Sequence, residues 1–558
     1  MFFLGKGNIM VMGQENHQRR AVHPEDSKWT EYFINAPVLS CSCQTLEESI
    51  KERRDKLVTE VRCMIQGYTS SKIHLSHGMK IVDAIERLGV GYHFHEEIGM
   101  FMRVLNDTPA RENDMAEAAL RFRLLRQHHY NAPSDVFGCF LDKNGDFKET
   151  LRYDVDALLS LYEAAHLGKC DEELLKNAVV FTTGCLSAMA DTGQLPQPLL
   201  EKVEHALTSP TQRRMKRLEA KLYISIYEND EDSNQDILEL AKLDFHILQQ
   251  MHRDEARRFS LWYKELNVGS TLGPYIRERP VECYFWSLCV FYEPQYAKAR
   301  MMFAKLTKIF SLFDDTFDSY GTLEELHLFN NAVQSWDEGG AKQIGENFGY
   351  VMSLLCKTLN EFVADGASPL GIDCTKKTIK EASRCMLQEI IWREEGQVPL
   401  LRDHLEFSTI TTLYWAMACI SFVDPMDTNN GVAVFRWAIS SPKIIENSAM
   451  ITRLMDDIAG HEYEKERSGI PTTVECYMKE HGVTIQDAKK ALWCLVEDEW
   501  RSINQEFLSN TTVPVPLLTR VINLARAMET MYKTIIGYTH CSSIINPISN
   551  VLDKCVSH

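Results

Sequence analysis

The sequence predicts an all-α protein of two helical domains. Apolar residues recur at three- and four-residue spacing along nearly the whole chain, as in "LEESIKERRDKLVTEVRCMI" and "RYDVDALLSLYEAAHLG". No alternating apolar/polar run or hairpin signal competes with that periodicity. At 558 residues the chain is too long for one ordinary core, and the acidic stretch "YENDEDSNQD" (227–236) has nothing to bury. These observations divide the chain into an N-terminal segment (1–29), an N-terminal helical domain (30–236) and a C-terminal domain (237–558). The helices follow no fixed period, so a repeat solenoid is not expected.

The opening stretch, "MFFLGKGNIMVMG", lacks an extended apolar core and a cleavage pattern, which argues against a signal peptide. The run "LYWAMACISFV" (413–423) is well short of the roughly 20 residues that span a bilayer, so no stable membrane insertion is expected. The net charge of −18 argues against nucleic acid as a partner. Any anionic ligand then needs a locally basic or metal-rich site. The 16 cysteines include no CxxC pair, which fits buried thiols in a reducing compartment.

Within 299–320, Phe303, Leu306, Phe310, Phe313 and Phe317 form an apolar stripe at 3,4,3,4 spacing. Thr307, Ser311, Asp314 and Asp318 form the neighbouring stripe, while Asp315 points about 100° away. A solvated acidic helix end is the competing reading. It is opposed by the apolar flanks and by the position of the acids toward the helix C-terminus, where the macrodipole disfavours anions. A bound divalent cation removes both objections.

A second acidic helix is expected at 447–469, with Asp456, Gly460 and Glu464 on one face over about 12 Å, and Arg453 on the same face. Hard carboxylate oxygens completed by water and phosphate suit magnesium. Arg277 and Arg279 in "PYIRERPVECYFW" suit a diphosphate, because guanidinium pairs with phosphate oxygens. Trp286 and Tyr538 are candidates to line a cavity.

Assembled in order, these elements resemble the plant class I terpene synthases, and more narrowly the angiosperm sesquiterpene synthases. "RRAVHPEDSKW" (19–29) looks like the family's RRx8W element; "RPVECYFW", "FYEPQYAKAR", "DDTFDSYGTLEEL" and the second metal motif follow in the family's order. The resemblance implies a catalytic C-terminal α-bundle and a relict, α-barrel-like N-terminal domain. It further implies magnesium-dependent ionisation of a prenyl diphosphate, with manganese as a substitute ion. Asp314 and Asp318 would be metal ligands with Asp315 in support; Asp456, Gly460 and Glu464 would form the second metal motif. Arg277, Arg279 and Arg453 would receive the diphosphate, Trp286 and Tyr538 would stabilise the carbocation, and Thr411 and Thr412 would lie near the substrate.

Two departures stand out. Gly460 replaces the family's Ser or Thr, and a water is expected in place of the missing hydroxyl. Ile536 replaces the Asp that many relatives carry before the "GYTH" tyrosine. Only 18 residues precede Arg19, too few for a typical plastid transit peptide, so a cytoplasmic enzyme acting on farnesyl diphosphate is expected. A monomer is expected separately. The alternatives are a monoterpene or linear-alcohol synthase using geranyl diphosphate, and a non-catalytic scaffold of the same fold. No DxDD motif accompanies "YDVDALL", so protonation-initiated cyclisation is not expected.

Overall fold

A computed structural model describes residues 24–35, 41–70, 74–109, 114–193, 195–423, 431–533 and 536–555. Arg19 and Arg20 of the RRx8W element lie outside the described residues. Helix dominates, and among the described residues the sole extended pairing is an isolated bridge between Leu141 and Phe147.

The N-terminal helices bury several apolar clusters, one of them built on Leu57, Ile85, Phe101 and Leu240. The C-terminal helices bury a single larger one that includes Phe303, Leu355, Ile451 and Leu518. The long helix Gln235–Leu266 contributes Ile237 and Phe245 to the first and Phe259 and Tyr263 to the second, so it ties the two regions together. Asn234 caps its start by accepting the Ile237 N–H. Trp29 and Phe33, on the helix Trp29–Asn35, also pack into the C-terminal core.

Six helices of that core line one cavity: Pro280–Val290, Ala297–Asp315, Pro369–Glu394, Leu401–Thr411, Tyr414–Ser421 and Lys443–Arg467. Pro280 opens the first of them at a position where its missing N–H costs nothing. Leu413 adopts a left-handed conformation (φ 59°) and breaks the polypeptide between Leu401–Thr411 and Tyr414–Ser421. For a non-glycine residue that backbone costs on the order of 1 kcal/mol. The break turns Thr411, Thr412 and Tyr414 toward the cavity. No described helix is long and apolar enough to cross a membrane, and the described cysteines are all free.

Candidate active site

The first acidic segment is helical to Asp315 and then widens into a π-helical turn, Thr316–Tyr320. Such turns are frequent at functional sites because they re-aim side chains. Phe303, Leu306, Phe310, Phe313 and Phe317 are buried, as their spacing predicts. Thr307, Ser311, Asp314 and Asp318 line the cavity, and Phe310 contributes to its wall as well. Asp315 lies behind them with no exposure. It accepts the Arg277 backbone N–H at 2.8 Å and Arg277 Nε at 2.7 Å. Arg277 Nη2 then reaches Asp314 at 2.7 Å. Asp315 therefore aims an arginine, and the arginine meets the cavity acid.

The helix Lys443–Arg467 forms the opposite wall. Arg453 pairs with Asp456 through Nη2, and its Nε lies 3.2 Å from Asp457. Asp457 also accepts the Thr473 N–H and hydroxyl, anchoring the helix to the capping box of Thr473–His481. Arg467 spans the gap. Its Nη2 donates to Asp318 at 3.0 Å and its Nε to Glu464 at 3.2 Å. One guanidinium thus joins the two acidic elements, 149 residues apart in sequence for the Asp318 contact.

Burial raises Asp318, and the neighbouring Asp314 charge adds to it despite Arg467. Asp314 moves the same way, burial again leading, although Arg277 opposes. Burial pushes Asp456 up to about 7, with Asp457 and Glu464 adding repulsion against the pull of Arg453. Asp457 differs: burial works against its charge, but Arg453, His404 and Thr473 outweigh it and hold the carboxyl down to about 2. Glu389, in contact with Thr411 Oγ1 at 3.2 Å, is pushed up to about 8 by burial. Buried carboxylates crowded enough to resist ionisation need further positive charge.

That chemistry fits magnesium. Asp314, Asp318, Asp456 and Glu464 offer hard oxygens from two sides of one cavity of about 170 Å³. Among the described residues no three acids converge tightly enough to form a closed cage. Magnesium is ordinarily held by one or two carboxylates with water and phosphate completing the shell, and an open two-walled arrangement serves that purpose.

Below the acids the lining turns aromatic. The Trp286 ring centroid lies 6.0 Å from Tyr538, 6.2 Å from Tyr532 and 6.3 Å from Tyr414. Tyr538 also carries Arg277 over its ring at 5.1 Å.

The structure gathers Arg277, Trp286, Asp314, Asp318, Thr411, Thr412, Arg453, Asp456, Glu464 and Tyr538 around this cavity. Three expected residues fall outside its lining: Asp315, which stands behind the acid stripe, Arg279 and Gly460. Arg279 has no exposure and donates to the Tyr538 and Thr539 carbonyls at 3.1 and 3.2 Å, so it clamps the segment that carries Tyr538 and does not face a ligand. Gly460 is buried, and a Cβ built on it would lie 2.6 Å from Ile536 Cδ1. An isoleucine side chain, not open space for water, abuts the position.

Sequence reasoning missed Arg467, Asp457, Glu389, Tyr414 and Tyr532. Arg467 sits in "HEYEKER", a run that reads as merely charged. Glu389, in "CMLQEIIW", is a lone acid among apolar residues, which is a usable signal for a buried functional carboxyl.

Fold and site together define an all-helical protein with an acid-walled, aromatic-floored cavity. Two family models match the chain: "Terpene synthase, N-terminal domain" over residues 28–207 and "Terpene synthase family, metal binding domain" over 264–502. The chain is 37% identical to (-)-germacrene D synthase of Vitis vinifera, over 94% of each chain. It is 38% identical to alpha-humulene synthase of Zingiber zerumbet over 96% of each, and 37% identical to sesquiterpene synthase 2 of Toona sinensis over 94% of each. Among solved structures it is similar to limonene synthase with 2-fluorolinalyl diphosphate, with a TM-score of 0.89 and 25% identity over 97% of this chain and 100% of that one. It is similar also to isoprene synthase from grey poplar, Populus x canescens, in complex with three Mg2+ ions and dimethylallyl-S-thiolodiphosphate. That match has a TM-score of 0.83 and 28% identity over 91% of this chain and 98% of that one. The chain belongs to the terpene synthase family.

Proposed function

We propose that the chain is a magnesium-dependent sesquiterpene synthase that ionises farnesyl diphosphate in this cavity, cyclises the carbocation and releases diphosphate. The observation that carries the reading is the Arg467 bridge, which holds Asp318 and Glu464 across one cavity whose floor is aromatic. The names of the relatives support a C15 substrate.

Asp314, Asp318, Asp456 and Glu464 would hold magnesium, with manganese as a substitute, and bound metal would supply Lewis-acid stabilisation to the leaving oxygens. Gly460 has no donor atom and would act by position alone. Arg277, Arg453 and Arg467 present guanidinium N–H groups that suit the departing diphosphate. As the allylic C–O bond breaks, its electron pair stays on the diphosphate oxygen, and preorganised donors stabilise that charge with little reorganisation. The cation left behind faces Trp286, Tyr414, Tyr532 and Tyr538. Desolvated aromatic faces are each worth about 1–2 kcal/mol to a passing cation. Phe310, Leu413 and Met417 extend the apolar lining, which keeps water from quenching the cation. The two-domain division at 236/237, a monomeric state and a cytoplasmic location belong to the same proposal.

Purified protein incubated with magnesium and, in parallel, farnesyl and geranyl diphosphate tests it by gas chromatography with mass spectrometry. A cyclic C15 hydrocarbon or alcohol from farnesyl diphosphate is the expected outcome. Turnover of geranyl diphosphate alone would reassign the substrate, and no product from any prenyl diphosphate would leave a non-catalytic scaffold.

A further inference from the structure

A second cavity, of about 430 Å³, lies where the N-terminal helices meet the C-terminal core. Lys216 and Gln212 approach it from the N-terminal side, Arg526 and Asn523 from the helix Val515–Met531. The four groups are neighbours. Arg526 Nε donates to the Gln212 backbone carbonyl and its Nη1 to Asn523 Oδ1 at 2.6 Å. Lys216 opens the helix Lys216–Glu228, four residues after Gln212, close enough to feel the Arg526 charge.

Neither Lys216 nor Arg526 has a carboxylate within ion-pair distance among the described residues. Glu86 and Glu219 attract Lys216 from a distance while engaged elsewhere, Glu219 by Arg87 and Arg214. Burial, with Arg526 adding repulsion, pulls the Lys216 ammonium down to about 8, and burial alone pulls Arg526 down to about 10. The acids nearby do not neutralise them. Glu86 is 2.8 Å from His128, and Glu293, also in the lining, accepts the Tyr292 N–H at 3.0 Å. Arg126 is saturated by Glu172 and by backbone carbonyls, while Arg520 donates to the Ser421 carbonyl. Gln212 is 4% exposed, yet its side-chain nitrogen and oxygen both lack a hydrogen-bond partner among the described residues. An unmade bond at a buried amide costs about 1–3 kcal/mol, so two at one residue call for a ligand that both accepts and donates.

We propose that this interdomain cavity binds a small, hydrogen-bearing phosphate-class oxyanion, held by Lys216, Arg526 and the side-chain amide of Gln212. The ammonium and guanidinium meet the anionic oxygens, the Gln212 NH₂ donates to a third, and the Gln212 carbonyl accepts the P–OH proton. Monohydrogen phosphate and diphosphate both carry that proton near neutral pH; sulfate does not, and is the discriminating control. Because the donors come from both sides of the junction, the bound anion fastens one helical region to the other. The site is distinct from the acid-walled cavity and does not depend on the activity proposed there.

Thermal unfolding of the full chain, without magnesium or substrate, tests the proposal by titration with inorganic phosphate, diphosphate or sulfate at matched ionic strength. A saturable rise in Tm is expected with phosphate or diphosphate and a markedly smaller one with sulfate; whichever of the first two saturates at lower concentration identifies the ligand. Lys216→Met should weaken the apparent affinity at least ten-fold, and Lys216→Arg should keep most of it. Gln212→Glu, nearly isosteric, places a negative charge against the anion and should abolish the shift even if Lys216→Met does not fold. Equal shifts with sulfate and phosphate, or an undiminished phosphate shift in Gln212→Glu, would overturn the assignment.

Discussion

Gly460→Ser tests whether the two departures from the family pattern are one packing unit. A Cβ at Gly460 would lie 2.6 Å from Ile536 Cδ1 and 3.1 Å from Cγ1. Carbon atoms in contact ordinarily sit about 3.5–4.0 Å apart, so the overlap with the δ-methyl is roughly 1 Å. Ile536 is 3% exposed and cannot swing into solvent. Overpacking of this kind costs about 1–3 kcal/mol. Ile536→Val removes the offending methyl and alone should cost about 0.5–1.5 kcal/mol for the lost burial. In the double variant the serine enters the space that the methyl leaves, so the total should fall short of the sum by about 1 kcal/mol or more. Urea unfolding of the four proteins without magnesium measures that coupling apart from catalysis. Additivity within about 0.5 kcal/mol, or a negligible cost for Gly460→Ser alone, would refute the reasoning. The serine hydroxyl should then improve magnesium binding in the double variant and not in the single one, in contrast to the simple gain expected from the motif alone.

Asp314→Asn should lower kcat at least 100-fold with the unfolding transition preserved; near-normal product formation would remove its metal role. Arg467→Met breaks the link between Asp318 and Glu464, so the magnesium concentration for half-maximal rate should rise several-fold in steady-state assays. Glu497 pairs with Arg213 through both carboxylate oxygens, at 2.6 and 2.7 Å. Burial opposes its charge, but Arg213 prevails and holds the carboxyl near 2, below the ordinary 4.5. A depressed carboxylate stabilises the fold above its unfolded value, and that contribution is lost as pH falls from 4.5 toward 2. Since the Glu497 side chain is 35% exposed, screening leaves about 1 kcal/mol. Glu497→Gln should lose that amount at pH 7 and show a shallower acid decline by calorimetry.

The fold was legible because helical spacing is local information. Phe303, Leu306, Phe310, Phe313 and Phe317 are all buried, and the acid stripe beside them faces the cavity as its period requires. What spacing could not supply was the partner across the gap. Arg467 and Asp318 lie 149 residues apart, and nothing near either one marks the other. The same limit explains Arg279. Its sequence neighbourhood matches that of Arg277, but only tertiary packing decides that one arginine faces Asp314 and the other two backbone carbonyls. The π-helical turn at Thr316–Tyr320 is likewise invisible to a fixed period of 3.6 residues.

The arginines also settle how so much negative charge survives beside an apolar core. Asp314 is matched by Arg277, Asp318 and Glu464 by Arg467, and Asp456 by Arg453, yet Asp318 and Asp456 still stand above the ordinary carboxylate range. Arginine alone is therefore insufficient compensation for these acids. The same guanidiniums are the groups best shaped to accept a diphosphate. A ligand set that brings its own cations can take over the carboxylates and free the arginines in one exchange, so metal and diphosphate should bind this cavity cooperatively. Calorimetric titration with magnesium and inorganic diphosphate, each alone and then together, measures that coupling. The dissociation constant of either should fall at least ten-fold in the presence of the other, and independent binding would show that the arginines and acids do not trade partners.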